Sequence, residues 1–243
     1  MEGIILVAGY GSRLRNHLKI PKYFINIHGY PLLYFPYYSL YKAGVSKIYL
    51  VFNEDTLNMY RELEGMFNLV DVDVIVNPHP ELDNGYTLLY ALSKVDRYPI
   101  VVSVSDHIYP YHVVSGLIEL ADAVEGVDFY VVGDANPSFV DVSEATKIMV
   151  MEDRIVSIGK ELINYSYIDM GIFLFNTGFR RYVETLMEPI TINGFLNRVI
   201  SVGGYGRVFA VENIPWKDID TYEDYILVTN HLYEEVFKAY FNL

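Results

Sequence analysis

The sequence predicts an α/β protein built on a doubly wound, mixed β-sheet with a small β-rich lobe. Up to about Gly133, short β-branched runs alternate with amphipathic stretches, the pattern of Rossmann-like βαβ units on a mostly parallel sheet. From Ala145 the apolar runs are joined by turn residues, which is typical of hairpins. The 243 residues, 52% of them hydrophobic, are enough for one complete core. We therefore expect one domain, 1–243, made of two halves, 1–133 and 134–243.

The individual elements follow from these patterns. Strands are predicted at 4–7, 47–52, 72–76, 100–104 and 129–132. Between them, helices are predicted at 34–43, 55–67, 86–93 and 111–123, several of them opened by Asn, Asp or Pro. In the second half we expect a hairpin from 147–151 and 154–158, a strand at 167–175 and a terminal helix from about 222 to 239.

Composition excludes several classes of function. The chain has no cysteine, which removes disulfides, thiol nucleophiles and thiolate zinc sites. A formal net charge of -13 argues against nucleic acid as a partner. No apolar run is long enough to span a membrane and no signal peptide is evident, so we expect a cytoplasmic protein that is not membrane-embedded. The six histidines lack HxxxH spacing, and we expect them to be structural or surface residues.

A glycine-rich turn follows the first predicted strand. Glycines let backbone N–H groups approach phosphate oxygens, and the spacing here fits neither a dinucleotide fingerprint nor a P-loop. Two cations, Arg13 and Lys22, would flank a triphosphate and its leaving pyrophosphate. An ordinary tight turn with solvated basic residues is the alternative. The candidate phosphate loop consists of Ala8, Gly9, Tyr10, Gly11 and Ser12.

Two further positions carry chemistry. Asp106 follows the run 100–104, at the carboxyl end of a central strand, where it can bind Mg²⁺ or simply cap the next helix. Asn84 and Gly85 stand at a helix start, where they would read the nucleotide base or form a turn and N-cap. Ser105 is expected beside the nucleotide.

The segment LVAGYGSRL with Pro21-Lys22 resembles the signature of the sugar-1-phosphate nucleotidyltransferases. Further matches include NGYTLL from Asn84, SDHIY from Ser105 and WKDIDT from Trp216. They resemble the archaeal CTP:inositol-1-phosphate cytidylyltransferases, which are often fused to a membrane domain that uses CDP-inositol to make di-inositol phosphate solutes. The resemblance implies a sheet of the nucleotide-diphospho-sugar transferase type.

The resemblance also assigns residues. It implies Asp218 as a second Mg²⁺ ligand beside Asp106. Asp220-Thr221 precedes a long predicted helix and could simply cap it. It also implies an acceptor site in the second lobe, where lysines suit a phosphomonoester and acids suit polyol hydroxyls. That predicted acceptor site consists of Glu144, Thr146, Lys147, Lys160, Asp169 and Gly171.

The expected activity is Mg²⁺-dependent formation of CDP-inositol and pyrophosphate from CTP and inositol-1-phosphate. The catalytic residues would be Arg13, Lys22 and Asp106. One alternative is a hexose-1-phosphate nucleotidyltransferase that uses UTP, dTTP or GTP, and another is a non-catalytic nucleotide-sugar-binding module. A separate membrane-bound synthase that uses CDP-inositol, and a second copy of this chain, are expected as candidate partners.

Overall fold

The computed structural model describes residues 1–7, 14, 17–183 and 188–241. Its strands are β1 (Glu2–Leu6), β2 (Asn26–Ile27), β3 (Tyr30–Pro31), β4 (Lys47–Phe52), β5 (Asp71–Val76), β6 (Ile100–Val104), β7 (His107–Ile108), β8 (Phe129–Asp134), β9 (Lys147–Met151), β10 (Arg154–Gly159), β11 (Tyr167–Phe175), β12 (Gly206–Val211) and β13 (Lys217–Asp218). Its helices are α1 (Tyr34–Lys42), α2 (Glu54–Leu63), α3 (Asp83–Lys94), α4 (Tyr111–Ile118), α5 (Ile192–Ser201), α6 (Tyr222–Leu227) and α7 (Tyr233–Glu235).

Nine strands of the described chain form one mixed sheet. Its parallel half has the order β6-β1-β4-β5, so β1 lies between β6 and β4. Beyond β6 the direction reverses, because β11 runs antiparallel to β6 and to β8, while β12 is parallel to β8. The hairpin of β9 and β10 joins the start of β11. The predicted mixed sheet is confirmed.

Apolar side chains cover both faces of this sheet. One core cluster includes Tyr37 of α1 and Leu117 of α4, and the other includes Leu88 of α3 and Phe195 of α5. Every residue of β1 is buried, as expected of a central parallel strand with helices on both sides. The sheet is therefore doubly wound, as predicted.

Most predicted elements are present, but several differ. The predictions do not include α5, β12 or the short strands β2, β3, β7 and β13. The predicted terminal helix is not one helix: α6 is followed by a π-helical turn at Val228–Leu232, α7 and a 3₁₀ turn at Phe237–Ala239. The predicted helix 111–123 ends as α4 at Ile118. In the described ranges, no helix combines the length and the apolar character needed to cross a membrane.

Candidate active site

Among the described residues, two cavities open where the parallel strands end, and they meet at Asp106. The first cavity has a volume of about 480 Å³ and the second of about 950 Å³. Small-molecule sites commonly measure about 300–1,000 Å³. The residues that line both cavities are Asn84, Val104, Asp106 and Ile192. The site can therefore hold two small molecules side by side, with Asp106 between them.

The Asp106 carboxylate is shared between two neighbours. The ammonium of Lys22 contacts its Oδ2 and also lies 2.8 Å from Oδ1 of Asp220. Nδ1 of His107 lies 2.7 Å from its Oδ1. Burial disfavours the charged forms, but the attraction between the groups outweighs it, so that the pKa of Asp106 is lowered and the pKa of Lys22 is raised. Lys22 and Asp106, two of the three predicted catalytic residues, are therefore charged at neutral pH.

Sequence reasoning missed His107. Its ring lies parallel to that of Trp216, with 5.6 Å between centroids, and it lines the second cavity. Burial opposes protonation of the imidazole, but the negative charges of Asp106, Asp218 and Asp220 outweigh this and raise the pKa of His107. The one available signal was its position directly after Asp106.

A short strand pair brings Asp218 to the same cavity. Strand β13 pairs antiparallel with β7, so that Asp218 lies opposite His107. The next residue, Ile219, donates its N–H to the carbonyl oxygen of Asp106 at 3.0 Å. The Asp218 carboxylate lies 2.9 Å from the ammonium of Lys217 and lines the second cavity together with Asp106. Asp106 and Asp218 therefore share one cavity, and metal binding by them stays a prediction.

The interpretation that Asp220-Thr221 caps the following helix is confirmed for Thr221 but not for Asp220. Thr221 is the N-cap of α6 and forms a reciprocal capping box with Asp224. The Asp220 carboxylate instead contacts Lys22 and lines the second cavity. The cap thus fixes the backbone directly after Asp220 and leaves its side chain in the site.

The grouped carboxylates suit a divalent cation. Asp106, Asp218 and Asp220 line one cavity, and the ammonium of Lys22 already lies between two of them, so the place favours positive charge. In the described ranges, no group of three or more His, Cys, Asp or Glu side chains is arranged to hold a metal ion by itself. Mg²⁺ does not need one, because it is commonly held by one or two carboxylates and completed by phosphate and water oxygens.

Asn84 and Gly85 are at the start of α3, as predicted, but the N–H of Gly85 is not free to read a base. Its N–H donates to the carbonyl oxygen of Ile190 at 2.8 Å and is not available to a base. A Cβ at this position would lie 2.4 Å from the carbonyl oxygen of Thr191. Glycine is therefore required here for close packing of two backbones. Asn84 accepts the N–H of Ile192 at 2.9 Å and lines both cavities.

The nucleotide side also contains Ser105. This residue is buried and lines the first cavity, beside Lys22 and Asp106. The predicted phosphate loop, Ala8, Gly9, Tyr10, Gly11 and Ser12, and the predicted catalytic Arg13 lie outside the described residues. Their roles stay predictions.

A bulge in β11 brings Asp169 and Gly171 into the second cavity. The register with β8 shifts between Asp169 and Phe173, and Gly171 has a φ of +68°, a conformation that favours glycine. The N–H of Gly171 donates to Oδ1 of Asp169 at 2.8 Å. Burial raises the pKa of Asp169 to about 6, against the opposing effects of this hydrogen bond and of His107. The Asp169 carboxyl is thus a weak acid, in contrast to Asp106, whose pKa is lowered.

The remaining predicted acceptor residues separate into two groups. Glu144, Thr146 and the exposed Lys160 line the second cavity. Lys147 does not line it: this lysine is buried, and its ammonium donates to three carbonyl oxygens, those of Ser143, Ala145 and Lys160. Lys147 therefore holds the loops that carry the acceptor residues, and the structure gives no support to its predicted contact with a phosphate.

Comparison with known proteins identifies relatives. A family model described as MobA-like NTP transferase domain matches residues 3–149. The bifunctional IPC transferase and DIPP synthase of Thermococcus kodakarensis is 31% identical over 92% of this chain and 48% of that protein. The protein of the same name from Archaeoglobus fulgidus is 30% identical over 92% of this chain and 42% of that protein. The chain thus spans about half the length of these relatives.

Solved structures give the same fold. The inositol-1-phosphate CTP transferase from T. maritima superposes with a TM-score of 0.80 and 27% identity, covering 92% of this chain and 90% of the other. A putative glucose-1-phosphate thymidylyltransferase from Bacillus anthracis superposes with a TM-score of 0.76. It covers 97% of this chain and 96% of the other, and its 19% identity supports the fold alone.

Proposed function

Since this chain belongs to the family of MobA-like NTP transferase domains, we propose that it is a cytidylyltransferase that makes CDP-inositol and pyrophosphate from CTP and inositol-1-phosphate. One observation carries the proposal: two cavities meet at a charged, partly buried Asp106. Direct transfer requires such an arrangement, because the phosphate of the acceptor must reach the α-phosphorus of the nucleotide while both substrates are bound. The names of the relatives support the choice of substrates.

In the proposed reaction, CTP occupies the first cavity and the acceptor occupies the second. A phosphate oxygen of the acceptor attacks the α-phosphorus of CTP, and the bond from that phosphorus to the bridging oxygen of the β-phosphate breaks. Pyrophosphate leaves with the electron pair, and no covalent enzyme intermediate forms. Lys22, at the wall of the first cavity, would stabilise the negative charge that builds up on the leaving group, together with Arg13.

Mg²⁺ would be held by Asp106 and Asp218, with Asp220 close by, and when bound it supplies positive charge to the phosphate oxygens. The three carboxylates would otherwise repel the triphosphate. Lys22 offsets part of that repulsion, because its ammonium lies between Asp106 and Asp220. The chain's own residues therefore orient the phosphates and limit the repulsion that they meet.

Selection of CTP has support in the wall of the first cavity. Glu81, in the 3₁₀ turn before α3, and Asp83, the first residue of α3, line this cavity. A carboxylate accepts a hydrogen bond from the 4-amine of cytosine and repels the 4-carbonyl of uracil. On the acceptor side, Glu144, Asp169 and Thr146 offer oxygens to hydroxyl groups, and Lys160 offers a cation to the acceptor's phosphate.

The test is pyrophosphate release measured over a matrix of CTP, UTP, dTTP and GTP with inositol-1-phosphate and several hexose 1-phosphates. We expect the highest kcat/KM for CTP with inositol-1-phosphate, and Asp106→Asn gives the background. A maximum for UTP, dTTP or GTP with a hexose 1-phosphate would replace the proposal by the alternative nucleotidyltransferase. Ligand binding without release from any pair would favour a non-catalytic module.

The proposed product would serve a second enzyme. The two relatives named above are bifunctional, and this chain spans about half their length. We propose that a membrane-bound synthase uses the CDP-inositol to make di-myo-inositol phosphate solutes. Conversion of enzymatically made, labelled CDP-inositol by membranes of the source organism would test this, and absence of any conversion would contradict it.

A further inference from the structure

The imidazole of His107 is held by two neighbours, Trp216 and Asp106. Its ring stacks on Trp216 at an interplanar angle of 10°, and Nδ1 lies 2.7 Å from Oδ1 of Asp106. Trp216 is itself fixed, because its indole N–H donates to the buried Asp134 at 2.9 Å. Turning the ring would therefore break the stack on Trp216 or the contact with Asp106.

The two oxygens of the Asp106 carboxylate have different partners. Oδ1 lies against His107, and Oδ2 contacts the ammonium of Lys22. If Nδ1 did not occupy one oxygen, the carboxylate could rotate and present either oxygen to Lys22. Because His107 holds Oδ1, only Oδ2 is presented to the ammonium of Lys22.

The backbone reinforces the arrangement. His107 belongs to β7, and its partner in β13 is Asp218, the other proposed metal ligand. The ring that orients one carboxylate is therefore in register with the residue that carries the second. A change in the pairing of β7 with β13 would therefore move the two carboxylates relative to each other.

From this geometry we infer that His107 is a positioning residue for the proposed transfer. Its Nδ1–H fixes the Asp106 carboxylate in the orientation that presents Oδ2 to the cations of the site, Lys22 and the proposed Mg²⁺. The inference rests on the proposed function. His107 acts through Asp106 and donates no proton to either substrate. Groups that orient a ligating carboxylate or histidine typically change affinity or activity about 10–100-fold when they are removed.

Two substitutions separate the hydrogen bond from the packing. His107→Phe keeps an aromatic ring on Trp216 and removes the donor. His107→Asn removes the ring and keeps an amide N–H near the place of Nδ1. His112→Phe is a matched control, because His112 is exposed on α4 and its ring also lies beside an aromatic residue, Tyr240.

The first measurement is steady-state pyrophosphate release. We expect His107→Phe to lower kcat by about 10–100-fold with each KM within about 3-fold of the wild type, because the binding surfaces remain. His107→Asn should restore most of the loss, and His112→Phe should match the wild type. Equal loss in Phe and Asn variants, or loss in the Asn variant alone, would mean that ring packing matters rather than the bond and would overturn the inference.

The second measurement does not need turnover. Trp216 is the single tryptophan of the chain, so its fluorescence reports on this site, and Mn²⁺ added with CTP should quench it. We expect His107→Phe to weaken Mn²⁺ binding about 10–100-fold and His107→Asn to weaken it less. Equal Mn²⁺ affinity in all three proteins would overturn the inference. If the wild type transfers nothing between any substrate pair, the proposed function fails, while this titration still tests the positioning of Asp106.

Discussion

Replacing Asp169 by asparagine should stabilise the protein at neutral pH and weaken its proposed acceptor site. Burial raises the pKa of this carboxyl from its ordinary value of 3.8 to about 6. At about 1.4 kcal/mol per pH unit, keeping it ionised in the folded state costs at most roughly 3 kcal/mol. Because the side chain is only partly buried, water reduces the penalty, and we expect about 1–2 kcal/mol.

The raised pKa of Asp169 determines how the free energy of unfolding changes with pH. The folded protein holds the Asp169 proton more tightly than the unfolded chain, so this group lowers the free energy of unfolding as the pH rises from about 4 to about 6. Asp169→Asn removes that loss. Its stabilising effect should be full above about pH 6 and should vanish below about pH 4, where the wild-type carboxyl is protonated in both states.

Urea unfolding at pH 4 and pH 7.5 measures the difference, and Asp141→Asn is the control. Asp141 also lines the second cavity, but hydrogen bonds from Ser143 lower its pKa, so it contributes stability that is lost as the pH falls. Asp141→Asn should therefore destabilise the protein at pH 7.5. An Asp169→Asn protein that is less stable than the wild type at pH 7.5, or a gain that does not depend on pH, would refute the reasoning.

Four further substitutions have defined outcomes. Asp106→Asn should lower kcat at least about 100-fold in pyrophosphate release with little change in the melting temperature, and near-full activity would remove Asp106 from the site. Lys160→Ala should raise the acceptor KM and leave the CTP KM unchanged. Lys147→Ala should instead lower the melting temperature, because it leaves three carbonyl oxygens without their donor. The opposite pattern would exchange the roles of the two lysines. Gly85→Ala should cost about 1–3 kcal/mol in urea unfolding, with Gly65→Ala, which meets open space, as a neutral control; equal costs would contradict the packing argument.

Local patterns were sufficient for the framework of the site. The apolar run before Asp106 is buried on both faces of a parallel sheet, so its length and end can be read from the sequence. Helix α5 has Gly194 within its first turn and gains its stability by packing Phe195 and Leu196 on the sheet, which propensity does not indicate. Strand β12 is mostly half-buried and pairs with β8 from far along the chain.

The misassigned site residues share a physical reason. Gly85 packs against the backbone at Ile190 and Thr191, and Lys147 is bound by carbonyls on two loops. Their partners come from other segments, so composition near each residue gives no sign of them. His107 was missed similarly, because the stack on Trp216 depends on the distant strand pair of β7 and β13.

Joined cavities also affect how such an enzyme would be inhibited. A nucleotide-linked product fills the place of both substrates, because the first and second cavities share Asn84, Val104, Asp106 and Ile192. The product makes the contacts of both substrates in one molecule. It therefore loses the entropy of association once, whereas two separate substrates lose it twice. An accumulating product would therefore compete with either substrate, and the rate of synthesis would follow the rate at which a downstream enzyme removes it.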